Sequence, residues 1–160
     1  MKRITLTVPA GGVTPEILIT TIVDQWERNL GIDVEVNAID PPTFFKMLQD
    51  HSFQVFVATS GPGFPDLEEV VGAYFHSGSD RNFTGYQNEE VDRRIDAARL
   101  ELNAERRAAL YQEAHRMIVA DAPGFPLCFP RTVEIVKSWI DGYAPPASLI
   151  PFLRYVRVIE

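Results

Sequence analysis

Apolar residues in the first 60 positions follow two different periods. The β-branched run from Ile4 to Val8 is typical of a strand, and IDVEVNA (32–38) alternates apolar and polar residues as strands do. Between these two segments, Leu18, Ile22 and Trp26 recur at intervals of four, which is a helical spacing. The pattern therefore predicts a strand, an amphipathic helix and a second strand.

Turn-forming and capping residues predict where these elements begin and end. Thr14 is suited to the N-cap of the first helix, with Pro15 at its first position and Gly31 just after its last. A short second helix is predicted after Pro42, followed by a third strand at 53–58. The order β-α-β-α-β predicts parallel strands with right-handed crossovers and helices packed on the sheet, an α/β fold.

Beyond residue 65 the pattern becomes mainly helical. Asp66 opens DLEE, whose acids favour the start of a third helix. A polar loop at 76–88 follows, and Asn88 and Asn103 are predicted N-caps of two longer helices, the second ending at DAPG (121–124). The segments FPLCFP, TVEIVKSW and FLRYVRVIE then predict three strands in a proline-rich C-terminal part.

The same spacing predicts which side chains face the core. In chain order the expected inward residues are Leu18, Ile19, Ile22, Val23, Trp26 and Leu30; either Phe45 with Leu48 or Phe44 with Met47 and Leu48; Val91, Ile95, Ala98 and Leu102; and Leu110, Ala114, Met117 and Ile118.

Composition excludes several classes of protein. The 160 residues carry a net charge of −7, and the basic residues are scattered, which argues against nucleic-acid binding. No apolar run approaches the ~20 residues of a membrane-spanning helix. The one cysteine, Cys128, lies in an apolar run, so a buried structural thiol is favoured over a nucleophile.

No catalytic or metal-binding set emerges from the motifs. The three histidines, His51, His76 and His115, share no metal-ligand spacing, and the glycine loops match neither a dinucleotide fingerprint nor a P-loop. Ser60 lacks the pattern of a nucleophile elbow. Asp66 could be a catalytic acid, but its position before an apolar helix favours a capping role. We expect no enzyme activity, no cofactor and no metal.

The predicted topology nevertheless locates a candidate site. In open parallel sheets, ligands bind outside the carboxyl ends of the strands, where neighbouring connections diverge. If the first strand lies between the second and third, the loops at 9–13 and 59–65 face one crevice. Their small residues would let backbone groups approach a ligand closely. Spacing alone leaves open whether these loops bind a ligand or are only tight turns.

Several motifs together carry a family resemblance. They are the run FHSG (75–78), the run NFTGY (82–86), and a helix with Arg-x-x-Leu-Tyr-x-x-Ala that ends in Asp-Ala-Pro. In this order they resemble the C-terminal part of the extracytoplasmic solute-binding proteins of peptide- and nickel-type ABC importers. The resemblance runs from Ile4 to the end of the chain.

This resemblance implies a two-lobe fold around a ligand cleft. Residues 1–160 would form a single three-layer α/β domain, the C-terminal lobe, and residues 140–160 would be a tail that returns toward the other lobe. The first lobe and a secretion signal are expected outside this sequence. The implied protein is periplasmic or membrane-anchored outside the cell and works with permease subunits, and exposed edges make self-association of this chain an expected property.

The resemblance also implies a role for the loop after the third strand. Peptide-binding relatives typically read Gly-Trp-x-x-Asp-Tyr-x-Asp-Pro there, and the first Asp holds the ligand's α-amino group. Here Ser60 stands at the Trp position, Gly63 at that Asp position and Phe64 at the aromatic one, while Asp66 is kept and Leu67 replaces Pro. The expected ligand contacts are Ser60, Gly61, Gly63, Phe64, Asn82 and Phe83.

Because Gly63 has no carboxylate, the expected ligand lacks a free amine at this point. It would be a sugar, a blocked peptide or another polar molecule, unless the other lobe supplies the charge. Two alternatives remain open: a stand-alone interaction domain, and a small α/β enzyme, hydrolase-like in character, using Asp66 and His76 as an acid–base pair.

Overall fold

The computed structural model describes residues 3–11, 14, 16–59, 61, 63, 66–128, 133–145 and 153–159. By its internal contacts the chain divides into two compact units. Unit 1 comprises Met1–Ser60 with Phe83–Gly85, and unit 2 comprises Gly61–Asn82 with Tyr86–Glu160.

Unit 1 is a parallel sheet with two crossover helices, as the order of apolar patterns predicted. Its elements are β1 (Arg3–Pro9), α1 (Glu16–Leu30), β2 (Asp33–Ile39), α2 (Pro41–Gln49) and β3 (Val55–Phe56). The strand order is β2–β1–β3, and both pairings are parallel. The crossover from β1 to β2 and the crossover from β2 past β1 to β3 run in opposite directions across the sheet, and the right-handed rule for such connections places α1 and α2 on opposite faces.

The central strand β1 and helix α2 supply much of the core of unit 1. Leu6 is fully buried and Thr7 is 2% exposed, while Phe44 and Leu48 are buried on α2. Phe44 rather than Phe45 is therefore the inward residue, which selects the second of the two predicted faces. Leu30 was predicted to be buried but is exposed, because it is the last residue of α1, just before Gly31 turns the chain with a φ of 62°.

Strand β3 is shorter than the predicted 53–58. Its ladder with β1 covers Val55–Phe56, and the amide of Val57 adds one more hydrogen bond, 3.1 Å to the Thr7 carbonyl. The chain then enters SGPGFP, whose two prolines have no amide hydrogen to continue a ladder.

Unit 2 is mainly helical. A 3₁₀ turn (Leu67–Glu69) leads into α3 (Val71–Phe75), followed by α4 (Glu89–Leu100) and α5 (Ala104–Asp121). The predicted caps are confirmed: the side chains of Asp66, Asn88 and Asn103 each accept hydrogen bonds from the first turn that follows. The core of this unit consists of Val71, Val91, Ile95, Ala98, Tyr111, Ala114 and Ile118.

Two side-chain predictions in unit 2 differ from the structure. Leu102 was expected to be buried but is 98% exposed, because α4 has already ended at Leu100. Tyr111, which the pattern did not select, is 2% exposed and packs in the core. Its ring serves as an apolar filler while its hydroxyl finds a polar partner.

The C-terminal part contains less strand than predicted. Strand β4 (Ile140–Asp141) pairs antiparallel with β5 (Arg157–Val158), so the final strand does pair locally. The described residues at 125–128 and 133–139 form no strand, and every residue at 133–139 is exposed. Cys128 is also exposed, so the prediction of a buried thiol was wrong. Segments of alternating apolar residues form strands only where they can pair with a neighbouring strand and pack against a core.

Candidate functional site

The carboxyl ends of β1 and β3 lie next to each other in unit 1. The crevice predicted from the sequence requires the first strand to lie between the second and third, and the structure shows this order, β2–β1–β3. The hydroxyls of Thr14 and Thr59 stand 3.0 Å apart, which brings the loops that follow these two strands into direct contact. The order 2-1-3 is one in which the carboxyl ends of the first and third strands flank a ligand crevice.

Asp40 follows β2 at the same edge of the sheet and caps α2. Its Oδ1 accepts a hydrogen bond of 3.1 Å from the amide of Thr43. Hydrogen bonds from the Thr43 side chain and backbone hold the pKa of Asp40 below its ordinary value, against a smaller opposing effect of desolvation. The carboxylate is therefore ionised at neutral pH, and its role is to begin the helix.

The six predicted ligand contacts divide between the two units. Ser60 and Phe64 lie outside the described residues. Unit 2 contains Gly61 and Gly63, which are half-buried, and Asn82, which is buried, whereas Phe83 belongs to unit 1. Their role in ligand binding stays a prediction.

Phe83 is held in unit 1 by its backbone. Its carbonyl accepts a hydrogen bond from His51 Nδ1 at 3.0 Å, which fixes the proton on that ring nitrogen. The imidazole also lies against Gly85, where an added Cβ would be 3.5 Å from Nδ1. His51 thus has a structural role that its sequence context did not indicate.

Asn82 organises the loop of unit 2. Its Nδ2 donates to the carbonyls of Tyr86 at 2.7 Å and His76 at 3.3 Å, and its Oδ1 accepts from the Tyr86 amide at 3.2 Å. The residue is 6% exposed. These bonds link residues 76, 82 and 86 of the loop to one another. They also satisfy the polar atoms of the Asn82 amide, as is usual for a buried side chain.

A carboxylate that the sequence did not single out approaches Gly63. Glu69 Oε1 accepts a hydrogen bond of 3.4 Å from the Gly63 amide and another of 2.8 Å from Arg81 Nη1. Arg81 also donates to the Tyr74 hydroxyl and lies over its ring, 4.6 Å from the centroid. The bond from Arg81 lowers the pKa of Glu69. The signal in the sequence is Glu69 itself, an acid six residues after Gly63. It belongs to the DLEE run, whose acids predict the start of a helix.

The proposed acid–base pair has other partners in the structure. Asp66 caps the 3₁₀ turn, with its Oδ1 2.9 Å from the Glu68 amide, and forms an ion pair of 3.1 Å with Arg107. His76 Nδ1 accepts a hydrogen bond of 2.9 Å from the Gly78 amide, and its Nε2 lies 3.3 Å from Asp96. Within the described part of the chain, no group of three potential ligands could hold a metal ion.

Comparison with known proteins finds relatives that are named as binding proteins. No family model matches the chain. The dipeptide-binding protein DppE of Bacillus subtilis is 26% identical over 121 residues, covering 76% of this chain and 22% of that protein. The probable deoxycholate-binding periplasmic protein YgiS of Escherichia coli is 22% identical over 119 residues, covering 74% of this chain and 22% of that protein.

A solved structure extends the match to most of the chain. The OppA protein of Burkholderia pseudomallei superposes with a TM-score of 0.77 at 25% identity, over 89% of this chain and 28% of that one. The α/β fold is therefore that of a segment of periplasmic binding proteins. The resemblance to the peptide-type solute-binding proteins of ABC importers is confirmed, and the chain spans less than a third of the relatives it matches.

Proposed function

We propose that this chain forms one wall of the ligand cleft in the solute-binding component of an ABC importer for peptide-like solutes. The meeting of the β1 and β3 loops at the carboxyl edge of a parallel sheet carries the proposal, because this is where such sheets bind ligands. The related proteins are named as binding proteins, which supports a non-enzymatic role.

The remainder of the receptor lies outside this chain. Residues 1–160 are the C-terminal lobe of a two-lobe protein that closes over its ligand. In the intact receptor the tail at 140–160 would return toward the other lobe; its residues 146–152 and 160 lie outside the described residues. The intact receptor acts outside the cytoplasm and delivers its solute to permease subunits. Two relatives are named as periplasmic, and among the described residues no helix has the length and apolar character to cross a membrane.

The solute does not place a free ammonium group against this lobe. Gly63 offers an amide but no carboxylate, and the nearby Glu69 carboxylate is already neutralised by Arg81 at 2.8 Å. An ammonium desolvated without a paired acid would lose on the order of 3–5 kcal/mol. The ligand contacts are Ser60, Gly61, Gly63, Phe64, Asn82 and Phe83. One relative is named as a probable deoxycholate-binding protein, and deoxycholate has no amine, which supports a solute of this kind.

Calorimetry with the protein as its gene encodes it tests this function. The probes are trialanine with free ends and the same peptide acetylated and amidated. We expect the blocked peptide to bind at least as tightly as the free one. Gly63→Asp should reverse this preference, because it restores an acid at the loop, whereas Gly124→Asp adds the same charge at an open position and should not.

Two results would contradict the proposal. If neither peptide binds and native mass spectrometry finds no co-purified solute, the chain does not serve in peptide-like solute uptake. If the wild-type protein binds the free peptide and loses it on N-acetylation, the binding function stands but the assignment of an amine-free contact fails.

A further inference from the structure

Two threonine hydroxyls meet at the carboxyl edge of the sheet in unit 1. Thr14 is half-buried and Thr59 is exposed, and their Oγ1 atoms lie 3.0 Å apart. Other threonines of this unit behave differently: Thr20 and Thr21, on α1, donate to carbonyls of their own helix at 2.6–3.2 Å. The Thr14–Thr59 bond instead links two separate loops, after β1 and after β3.

The paired hydroxyls retain hydrogen-bonding capacity. Each threonine hydroxyl has one donor hydrogen and two acceptor lone pairs. The bond between them uses one hydrogen and one lone pair, which leaves one O–H donor and three lone pairs, one of which Thr14 would use in capping α1 as its sequence position predicts. The pair can therefore both donate to and accept from a third group, and it carries no charge.

The two loops that carry the pair are built from uncharged residues. An added Cβ at Gly11 would meet no described atom within 4 Å, so there is free space beside the start of the β1 loop. Neither loop segment, 9–15 or 57–65, contains a charged residue. Two acids flank this edge: Glu16, exposed at the first position of α1, and Asp40 after β2, which caps α2.

We propose that the Thr14–Thr59 hydroxyl pair is a neutral recognition point of the cleft, which binds an uncharged hydrogen-bonding group of the solute such as an amide or a hydroxyl. The inference rests on the proposed function and makes it more specific. It assigns to the loops after β1 and β3 a hydrogen bond with an uncharged group of the ligand. A peptide amide and a sugar hydroxyl share this chemistry, and the experiment separates them.

The test is calorimetric binding to the protein as its gene encodes it, with acetylated, amidated trialanine and maltotriose as separate probes. Thr14→Val and Thr59→Val each remove one hydroxyl at nearly constant shape. We expect either change to weaken the probe that binds by about three- to tenfold, the effect of one neutral hydrogen bond. Thr59→Ser keeps a hydroxyl and should bind like wild type. Thr20→Val is the matched control, because its hydroxyl bonds only within α1 in the contacts described.

The outcomes separate this inference from the proposed function. Weakened binding in both valine variants, with Thr59→Ser and Thr20→Val unchanged, supports the hydroxyl pair, and the probe affected tells amide from sugar. Binding that neither valine variant alters overturns the pair while the binding function stands. Binding of neither probe, together with no binding of free trialanine, overturns both. Far-ultraviolet circular dichroism of each variant identifies any that fails to fold, and the other valine variant then decides.

Discussion

Gly72 makes room for a polar cluster between α3, α4 and α5. Glu68 Oε1 accepts bonds of 2.7 and 3.1 Å from Arg99, and its Oε2 accepts one of 2.8 Å from the Tyr111 hydroxyl. A Cβ at Gly72 would overlap this carboxylate. Gly72→Ala should displace Glu68 and leave the hydroxyl of Tyr111, a residue only 2% exposed, without its acceptor. A buried hydroxyl left without an acceptor lowers the free energy of unfolding by ~1–3 kcal/mol. The higher helix propensity of alanine compared with glycine offsets up to ~1 kcal/mol of this.

We therefore expect Gly72→Ala to lower the free energy of unfolding by about 1–2 kcal/mol, measured by urea denaturation. The control is the same change in a Glu68→Ala background, where no carboxylate occupies the space. There, Gly72→Ala should be neutral or stabilising. An equal loss in both backgrounds would show that Gly72 is needed for its backbone and not for the carboxylate beside it.

At the scale of residues, the sequence predicted backbone and capping roles better than side-chain pairings. Asp66, Asn88 and Asn103 were identified as caps because a cap depends on its own neighbours in sequence. The bonds that Glu69 accepts from Gly63 and Arg81 join residues up to 12 apart across a folded loop. No local pattern encodes such a pairing, and it was missed.

At the scale of elements, the amphipathic helices and the strands of the parallel sheet were predictable, and the C-terminal strands were not. Helix α5 was found with its cap because its period persists over 18 residues. TVEIVKSW has a strand-like composition, yet its described residues are exposed and none of them pairs with a neighbouring strand. Strand propensity reflects packing against neighbours, which a single sequence does not contain.

The hydrogen bonds of Tyr86 and Asn88 connect the 76–88 loop to the end of α5. Tyr86 donates to Asp121 Oδ2 at 2.5 Å, and Asn88 donates to the same oxygen at 2.8 Å. Burial, and next the bond to Asp121, raise the pKa of Tyr86 from 10.0 to about 12. A pKa raised on folding adds stability that is complete below the unfolded value and is lost as the pH rises through the folded one.

Stability should therefore fall between pH 10 and pH 12 as Tyr86 ionises. Burial also raises the pKa of Tyr111, which adds to the fall. Tyr86→Phe should be less stable at pH 7 and show a shallower decline, measured by urea titrations at a series of pH values. Tyr155→Phe changes a tyrosine that is 72% exposed and should leave the curve unchanged. A Tyr86→Phe curve as steep as wild type would contradict this assignment.

At the scale of the whole molecule, the topology of unit 1 followed from the order of its elements, because crossover handedness leaves few arrangements for a β-α-β-α-β chain. The sequence did not determine that β1 is the central strand, and the predicted ligand crevice depended on that position, which the structure shows. The division of the chain into two units was not foreseen. Nor was the return of residues 83–85 to unit 1, because it brings together segments that are distant in sequence.

The C-terminal part of unit 2 presents apolar side chains to solvent. Val133, Ile135, Trp139, Tyr155 and Val158 are each at least 50% exposed, and the strands β4 and β5 pair only with each other in the described structure. Exposed apolar residues beside a two-stranded edge favour contact with another copy of the chain. We expect the 160-residue chain to sediment with a weight-average mass that rises above 18.0 kDa with concentration.

Substitutions that change charge equally can locate the contact. Val158→Lys places a charge on β5, whereas Leu102→Lys places the same charge on a leucine that is 98% exposed between α4 and α5. Val158→Lys should shift the association to severalfold higher concentration because a charge in an apolar contact must be desolvated. Leu102→Lys should leave it unchanged. Equal effects of the two variants would assign the association to net charge, and a wild-type mass that stays at 18.0 kDa at every concentration would show that this surface does not bind a second copy.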